Sequence, residues 1–110
     1  MMREVVERLA KRGVVCRRLE RVEPRELGSR KRAEIYLGVA TDDYYCMVIA
    51  LRKKSRIVQK EARELMELHR RLEAKHAGAV TRRYLLFDAP LCSKAKRLLE
   101  EKGWKVFSLL

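Results

Sequence analysis

Asparagine is absent from this chain of 110 residues, and glutamine occurs once, at Gln59. Thermolabile side-chain amides are depleted in proteins from hot habitats, so the composition points to a thermophilic source. Cysteine is scarce and odd in number: Cys16, Cys46 and Cys92 lie far apart, with no Cys-x-x-Cys pair and no Cys/His cluster. That spacing argues against a zinc site. Cys16 and Cys46 fall in apolar runs, where a free thiol acts as a small buried hydrophobe. Cys92 stands at an expected helix start with no histidine near it in sequence, so it lacks the base that a nucleophilic thiol needs. Long apolar runs are missing too. The longest, Tyr44 to Leu51, falls well short of the roughly 20 residues that span a bilayer, and no secretory pattern is visible. A cytoplasmic protein without membrane contact is expected. There is no internal repeat and no low-complexity segment.

Positive charge is what the chain has in excess. Lys plus Arg number 27 against 15 Asp plus Glu, giving a net charge of +12 and a pI near 10.1. Thermophilic surfaces are also rich in charge, but they tend to balance the two signs. An uncompensated excess points to a polyanionic partner, DNA or RNA. The hydrophobic fraction of 47% and a length that buries roughly two thirds of the unfolded surface allow a real core. One α/β domain over residues 1–110 is expected.

Periodicity supplies the elements. Met2, Val5, Val6 and Leu9 recur at helical spacing, and Gly13 suits a left-handed cap. Residues 14–23 read as a strand with one charged face, and Pro24 to Lys31 as a polar loop. Ile35, Leu37 and Val39 alternate with Glu34, Tyr36 and Gly38, the pattern of a half-buried strand. Thr41, Asp42 and Asp43 make a turn. Tyr44 to Leu51 is almost continuously apolar, as in a central strand covered on both faces. Ser55 is placed to cap the next helix, whose inward stripe is Val58, Ala62, Leu65, His69 and Leu72, with Gly78 after its end. Tyr84 to Phe87 form a strand. Asp88 is an expected N-cap, with Pro90 in the first turn of a helix that carries Leu91, Ala95, Leu98 and Leu99. Gly103 closes it, and Trp104, Val106, Phe107 and Leu109 form a last strand. The order αβββαβαβ, with right-handed crossovers, predicts a mixed sheet with helices on both faces.

This order, with residues 34–54, resembles the core of the PD-(D/E)xK nuclease superfamily, the restriction-endonuclease-like fold, and within it archaeal Holliday junction resolvases. The resemblance implies an acidic hairpin carrying one carboxylate near its start and Glu-x-Lys near its end. The hairpin carboxylate falls on Glu34, the motif Glu on Ala50 and the motif Lys on Arg52. The helical Glu used by some members falls on Met2, with Glu4 and Glu7 as the nearest acids. Such nucleases hydrolyse phosphodiesters with Mg²⁺ held by converging carboxylates. Alanine offers no ligand, and arginine keeps a charge but not a readily deprotonated amine. Asp42 and Asp43 lie at the wrong end of the hairpin to compensate. Glu34 and Arg52 are therefore weak catalytic candidates, and no metal site is expected.

Three cationic groups stand out: Arg30-Lys31-Arg32, Arg52-Lys53-Lys54 with Arg56, and Arg82-Arg83. The first two flank the hairpin at one sheet end and form the expected nucleic-acid contact; solvated charge runs are the alternative. Tyr36, Tyr44 and Tyr45 would stack on bases or serve as packing residues. His69 and His76 do not have the i, i+4 spacing of a helical metal pair. The sequence is read as that of a nucleic-acid-binding protein with a nuclease-like fold and an inactive metal site, without a cofactor. Enzymatic activity is left open. One alternative is an active Mg²⁺-dependent endonuclease with a displaced carboxylate. The other is a small basic module that contacts protein or ribosomal RNA. A homodimer, or pairing with an active subunit, is compatible with the resemblance.

Overall fold

The computed structural model describes residues 2–109; Met1 and Leu110 of the expected 1–110 domain lie outside the described residues. Its elements are α1 (Met2–Lys11), β1 (Cys16–Val22), β2 (Glu34–Ala40), β3 (Tyr45–Arg52), α2 (Gln59–His76), β4 (Arg82–Asp88), α3 (Ser93–Glu101) and β5 (Trp104–Ser108). The five strands form one sheet in the order β1-β2-β3-β4-β5. β1, β2 and β3 make an antiparallel meander. β3, β4 and β5 run parallel, joined through α2 and α3. The expected αβββαβαβ mixed sheet is the one observed.

Strand alternation divides the core in two. On one face Ile35, Met47, Ile49, Leu51 and Leu85 pack against Ala62, Leu65, Leu68 and Leu72 of α2 and Ala95 and Leu99 of α3. On the other, Tyr36, Cys46, Val48, Ala50, Tyr84 and Leu86 pack against Val5 and Leu9 of α1 and against Leu109. β3 is buried from Cys46 to Leu51, which is why its sequence shows no alternation.

Several local expectations fail for physical reasons. Ser55 does not cap α2, and Val58, its N-cap residue, is exposed and off the inward stripe. Asp88 ends β4 instead of capping α3, whose N-cap is Cys92. One feature explains both. Ile57 and Leu91 form a parallel bridge, with Ile57 N–H donating to Pro90 O at 2.8 Å and Cys92 N–H to Ile57 O at 2.9 Å. Both segments are held extended by this bridge, so each helix starts later and Pro90 lies outside α3. The expected loop at Pro24 contains a short 3₁₀ turn, Pro24–Leu27, which buries Leu27 and has Gly28 in the left-handed region at φ 69. The left-handed residue ending α2 is Ala77, at φ 59, one position before Gly78.

Gly38 is required by a close approach. A Cβ there would lie 2.8 Å from Arg18 O, 2.9 Å from Leu19 Cδ1 and 3.1 Å from Cys46 Sγ. Backbone on one side and a buried side chain on the other leave little room to relax. Gly38→Ala is expected to cost about 1–3 kcal/mol, in the range of core overpacking. Chemical denaturation checks it, and a midpoint equal to the parent's would show that β1 can shift away.

Candidate functional site

Alternation and register build the site. Glu34 opens β2 directly opposite Ala50 of β3. Residues 34, 36, 50 and 52 share strand parity, and Tyr36 and Ala50 lie on the α1 face. Arg52 follows at the strand end, and its Nη1 donates to Glu34 Oε1 at 2.5 Å. Its Nη2 donates to Glu4 Oε1 on the first turn of α1. Glu34 also accepts from Tyr36 Oη at 2.8 Å. Burial first, then the hydrogen bond and charge of Glu34, push the Tyr36 phenol up to about 12. Tyr36 is thus a protonated donor, fully buried, and not available for stacking. The Arg21 guanidinium lies over its ring at 5.8 Å.

Glu34, Ala50 and Arg52 line a shallow cleft of about 410 Å³ together with Arg21, Lys31, Arg32 and Glu23. The sequence register left Glu34 as the one matched acid and placed Met2 at the helical position. The structure brings Glu4 there instead. Sequence reasoning also missed Arg21, whose signal is its pairing with Tyr36 across β1 and β2.

The nuclease resemblance of residues 34–54 implies a divalent metal at such a centre, and the residues present do not fit one. Two carboxylates converge, but a guanidinium bridges them and satisfies both electrostatically. Alanine stands where a third ligand would come from. Among the described residues no group of three or more His, Cys, Asp or Glu could hold a metal ion.

The expected cationic edge divides between the two sheet faces. Lys53, one residue after Arg52, turns to the α2 side, and its Nζ reaches Glu61 Oε1 at 2.5 Å. Lys31 Nζ meets Glu61 Oε2 at 2.5 Å and Glu64 Oε1 at 3.1 Å. Burial pushes the Glu61 carboxyl up, but Lys31 and Lys53 pull it further down, to a net value below the ordinary range. Arg30, Arg32, Lys54 and Arg56 are exposed and are not among the described salt bridges. Asp42 and Asp43 sit at the hairpin tip, paired with Arg82 and Arg17 respectively. Tyr44 and Tyr45 are also at that far end. Arg82 lies over the Tyr44 ring at 5.1 Å, and Tyr45 packs edge-on against His76 at 4.4 Å. His69 Nε2 is 2.7 Å from Val80 O, a structural contact.

The cysteines are closer than their sequence separation suggests. Cys16 and Cys46 place their sulfurs 3.5 Å apart, and Gly38, opposite Cys46 on the intervening β2, leaves the space. Two strand spacings of about 4.8 Å separate their backbones, beyond the reach of a disulfide. The Cys46 thiol lowers the Cys16 pKa to about 7, and Cys46 itself is pushed up by that hydrogen bond and by burial. Cys92 is lowered by the backbone N–H groups of Ala95 and Lys94. No described helix is long and apolar enough to cross a membrane.

No protein-family model and no curated protein matches the chain. Solved structures do. EndoMS in its apo form aligns with a TM-score of 0.62 at 22% identity, covering 97% of this chain and 44% of that one. An EndoMS–dsDNA2 complex aligns at 0.52 and 22%, covering 97% and 43%. A repair endonuclease from Pyrococcus abyssi aligns at 0.52 and 15%, covering 98% and 46%. The chain spans less than half the length of these proteins. The likeness shows the fold, which is restriction-endonuclease-like.

Proposed function

We propose that this restriction-endonuclease-like chain folds as a single α/β domain and binds the phosphate backbone of DNA or RNA at the β2–β3 end of its sheet, with a catalytically silent centre. One observation carries the second half: Arg52 bridges Glu4 and Glu34 directly beside Ala50. A fixed guanidinium here takes the electrostatic place of a metal but cannot generate a hydroxide nucleophile. The first half rests on the net charge of +12 and on exposed cations in the segments that enter β2 and leave β3: Arg32, which lines the cleft, and Arg30, Lys54 and Arg56. It is supported by the DNA complex of the similar EndoMS.

Binding is expected to weaken steeply with salt, since each neutralised phosphate contributes about −0.9 to the slope of log K against log salt on duplex DNA. Replacing Arg30 and Arg32, or Lys54 and Arg56, by alanine should reduce that slope by about 1–2. Replacing Lys94, Lys96 and Arg97 on the exposed face of α3 should change it less. Fluorescence anisotropy on duplex, branched and single-stranded substrates measures all of these. Absence of binding at low salt would remove the reading, and equal losses from every set would remove the defined site.

A second reading, an active nuclease with a displaced carboxylate, is favoured by one feature, the approach of Glu4 to Glu34 around a common cation. Incubation with plasmid, branched DNA and RNA in Mg²⁺ or Mn²⁺ at high temperature separates the two. Cleavage abolished by Glu34→Ala or Glu4→Ala supports the second reading. No cleavage supports the first.

A further inference from the structure

The sheet end opposite the Glu4–Arg52–Glu34 centre has a cavity of about 420 Å³. It lies between the end of α1, the β2–β3 turn and the starts of β4 and β5. Its lining holds four cations, Arg12, Arg82, Arg83 and Lys105, the hydroxyl residues Thr41 and Thr81, and no carboxylate among the described residues. Little of this charge is neutralised within the fold. Arg82 is paired with Asp42. Arg12 lies over the Phe107 ring at 5.3 Å. Arg83 donates from Nη2 to Lys102 O at 2.9 Å, and its Nε is buried without an acceptor. No described salt bridge includes Arg12, Arg83 or Lys105.

The guanidinium of Arg83, with an unmet donor and no carboxylate partner among the described residues, keeps its charge available to an anionic ligand. Gly103 makes room for it. At φ +88 its backbone is in the left-handed region, and a Cβ there would collide with Arg83 Nη2.

We propose that this cavity binds a phosphate group. Guanidinium, ammonium and hydroxyl groups lining one cavity, with Arg82 alone of the four cations in a described ion pair, match a multiply charged oxyanion. The volume exceeds that of inorganic phosphate and lies in the range of small-ligand sites, so the phosphate belongs to a nucleotide-sized body, free or within a nucleic acid chain. The inference goes beyond the proposed function. The cavity lies a strand's length, about 20 Å, from the hairpin-end cleft and does not use its residues.

Calorimetric titration of the full chain with inorganic pyrophosphate tests it. Binding is expected, and Lys105→Gln and Arg12→Gln, both at exposed positions, should each weaken it about tenfold, as for loss of a charge-assisted contact. Arg83→Gln should do the same, and the two exposed variants carry the test if that protein does not fold. Arg32→Gln with Lys54→Gln should leave pyrophosphate binding intact while lowering nucleic-acid affinity, which separates this site from the hairpin end. Oligonucleotides with and without a 5′ phosphate, and free nucleoside diphosphates, then identify the source. A gain from the 5′ phosphate assigns it to nucleic acid, and tight binding of the free nucleotide alone assigns it to a small molecule. No pyrophosphate binding, or equal losses from Lys94→Gln with Arg97→Gln, would overturn the proposal.

Discussion

Glu61→Ala is expected to lower the free energy of unfolding by about 1.5–3 kcal/mol, the loss of charge-assisted hydrogen bonds at partly exposed ammonium groups, and at the same time to raise affinity for nucleic acid. The Glu61 side chain is 9% exposed and holds Lys31 on one oxygen and Lys53 on the other. It also lies in the first turn of α2, where a negative charge complements the helix dipole. Removing it leaves two half-buried ammonium groups without their main acceptor. They are then free to turn outward, beside the cleft that Lys31 already lines. Denaturant unfolding reads the first effect and anisotropy the second. An unchanged midpoint would mean that the triad is solvated, and unchanged affinity would mean that Lys31 and Lys53 do not face the ligand. The pH dependence follows from the depressed Glu61 pKa. Its stabilisation is fully present above the unfolded-chain value of about 4.3 and is lost as pH falls through the lower folded value. Glu61→Gln should therefore flatten the acid limb of the stability profile below about pH 4.5.

The same triad shows why the site was harder to read than the fold. Element order was legible because the two periods, near 3.6 and 2, are written plainly in Val5–Leu9, Ile35–Val39 and Leu65–Leu72. The Glu34–Ala50–Arg52 relation was legible for a related reason: an antiparallel hairpin with a short turn fixes its own register. Helix starts were not legible, because the Ile57–Leu91 bridge that delays both is a tertiary contact between segments far apart in sequence. The cationic run 52–54 read as one patch. Strand alternation instead sends Arg52 toward α1 and Lys53 toward α2, and each finds carboxylates on helices whose packing the sequence does not state. Glu4 is the clearest case. Its helix was visible, but its rotation over the sheet is set by Val5 and Leu9 packing on Tyr36, Val48 and Leu86. That rotation decides which residue of the first turn reaches Arg52.

Ala50→Glu combined with Arg52→Lys is expected to create a divalent-metal site beside Glu34. The two positions and Glu34 share strand parity, and Glu34 and Ala50 are directly paired. The introduced glutamate would start about 5 Å from Glu34 at Cβ, close enough for two carboxylates to share one ion. Shortening Arg52 to lysine removes the fork that now engages Glu4 and Glu34 together, since an ammonium cannot reproduce a two-pronged bridge. Three acids would then face one another, so without metal the double variant should be less stable than the parent through like-charge repulsion. Oxygen ligands of this kind suit Mg²⁺ and Mn²⁺, and binding to the folded state alone raises stability by about 2.7 kcal/mol at 100-fold saturation. A metal-dependent rise in melting temperature in the double variant, absent from the parent and lost again on adding Glu4→Ala, is the expected result. It reads ligand geometry without relying on cleavage. No metal-dependent shift would mean that the new carboxylate does not converge with Glu34. Arg52 would then be a surface ion pair with no relation to the centre of the nucleases that share the fold.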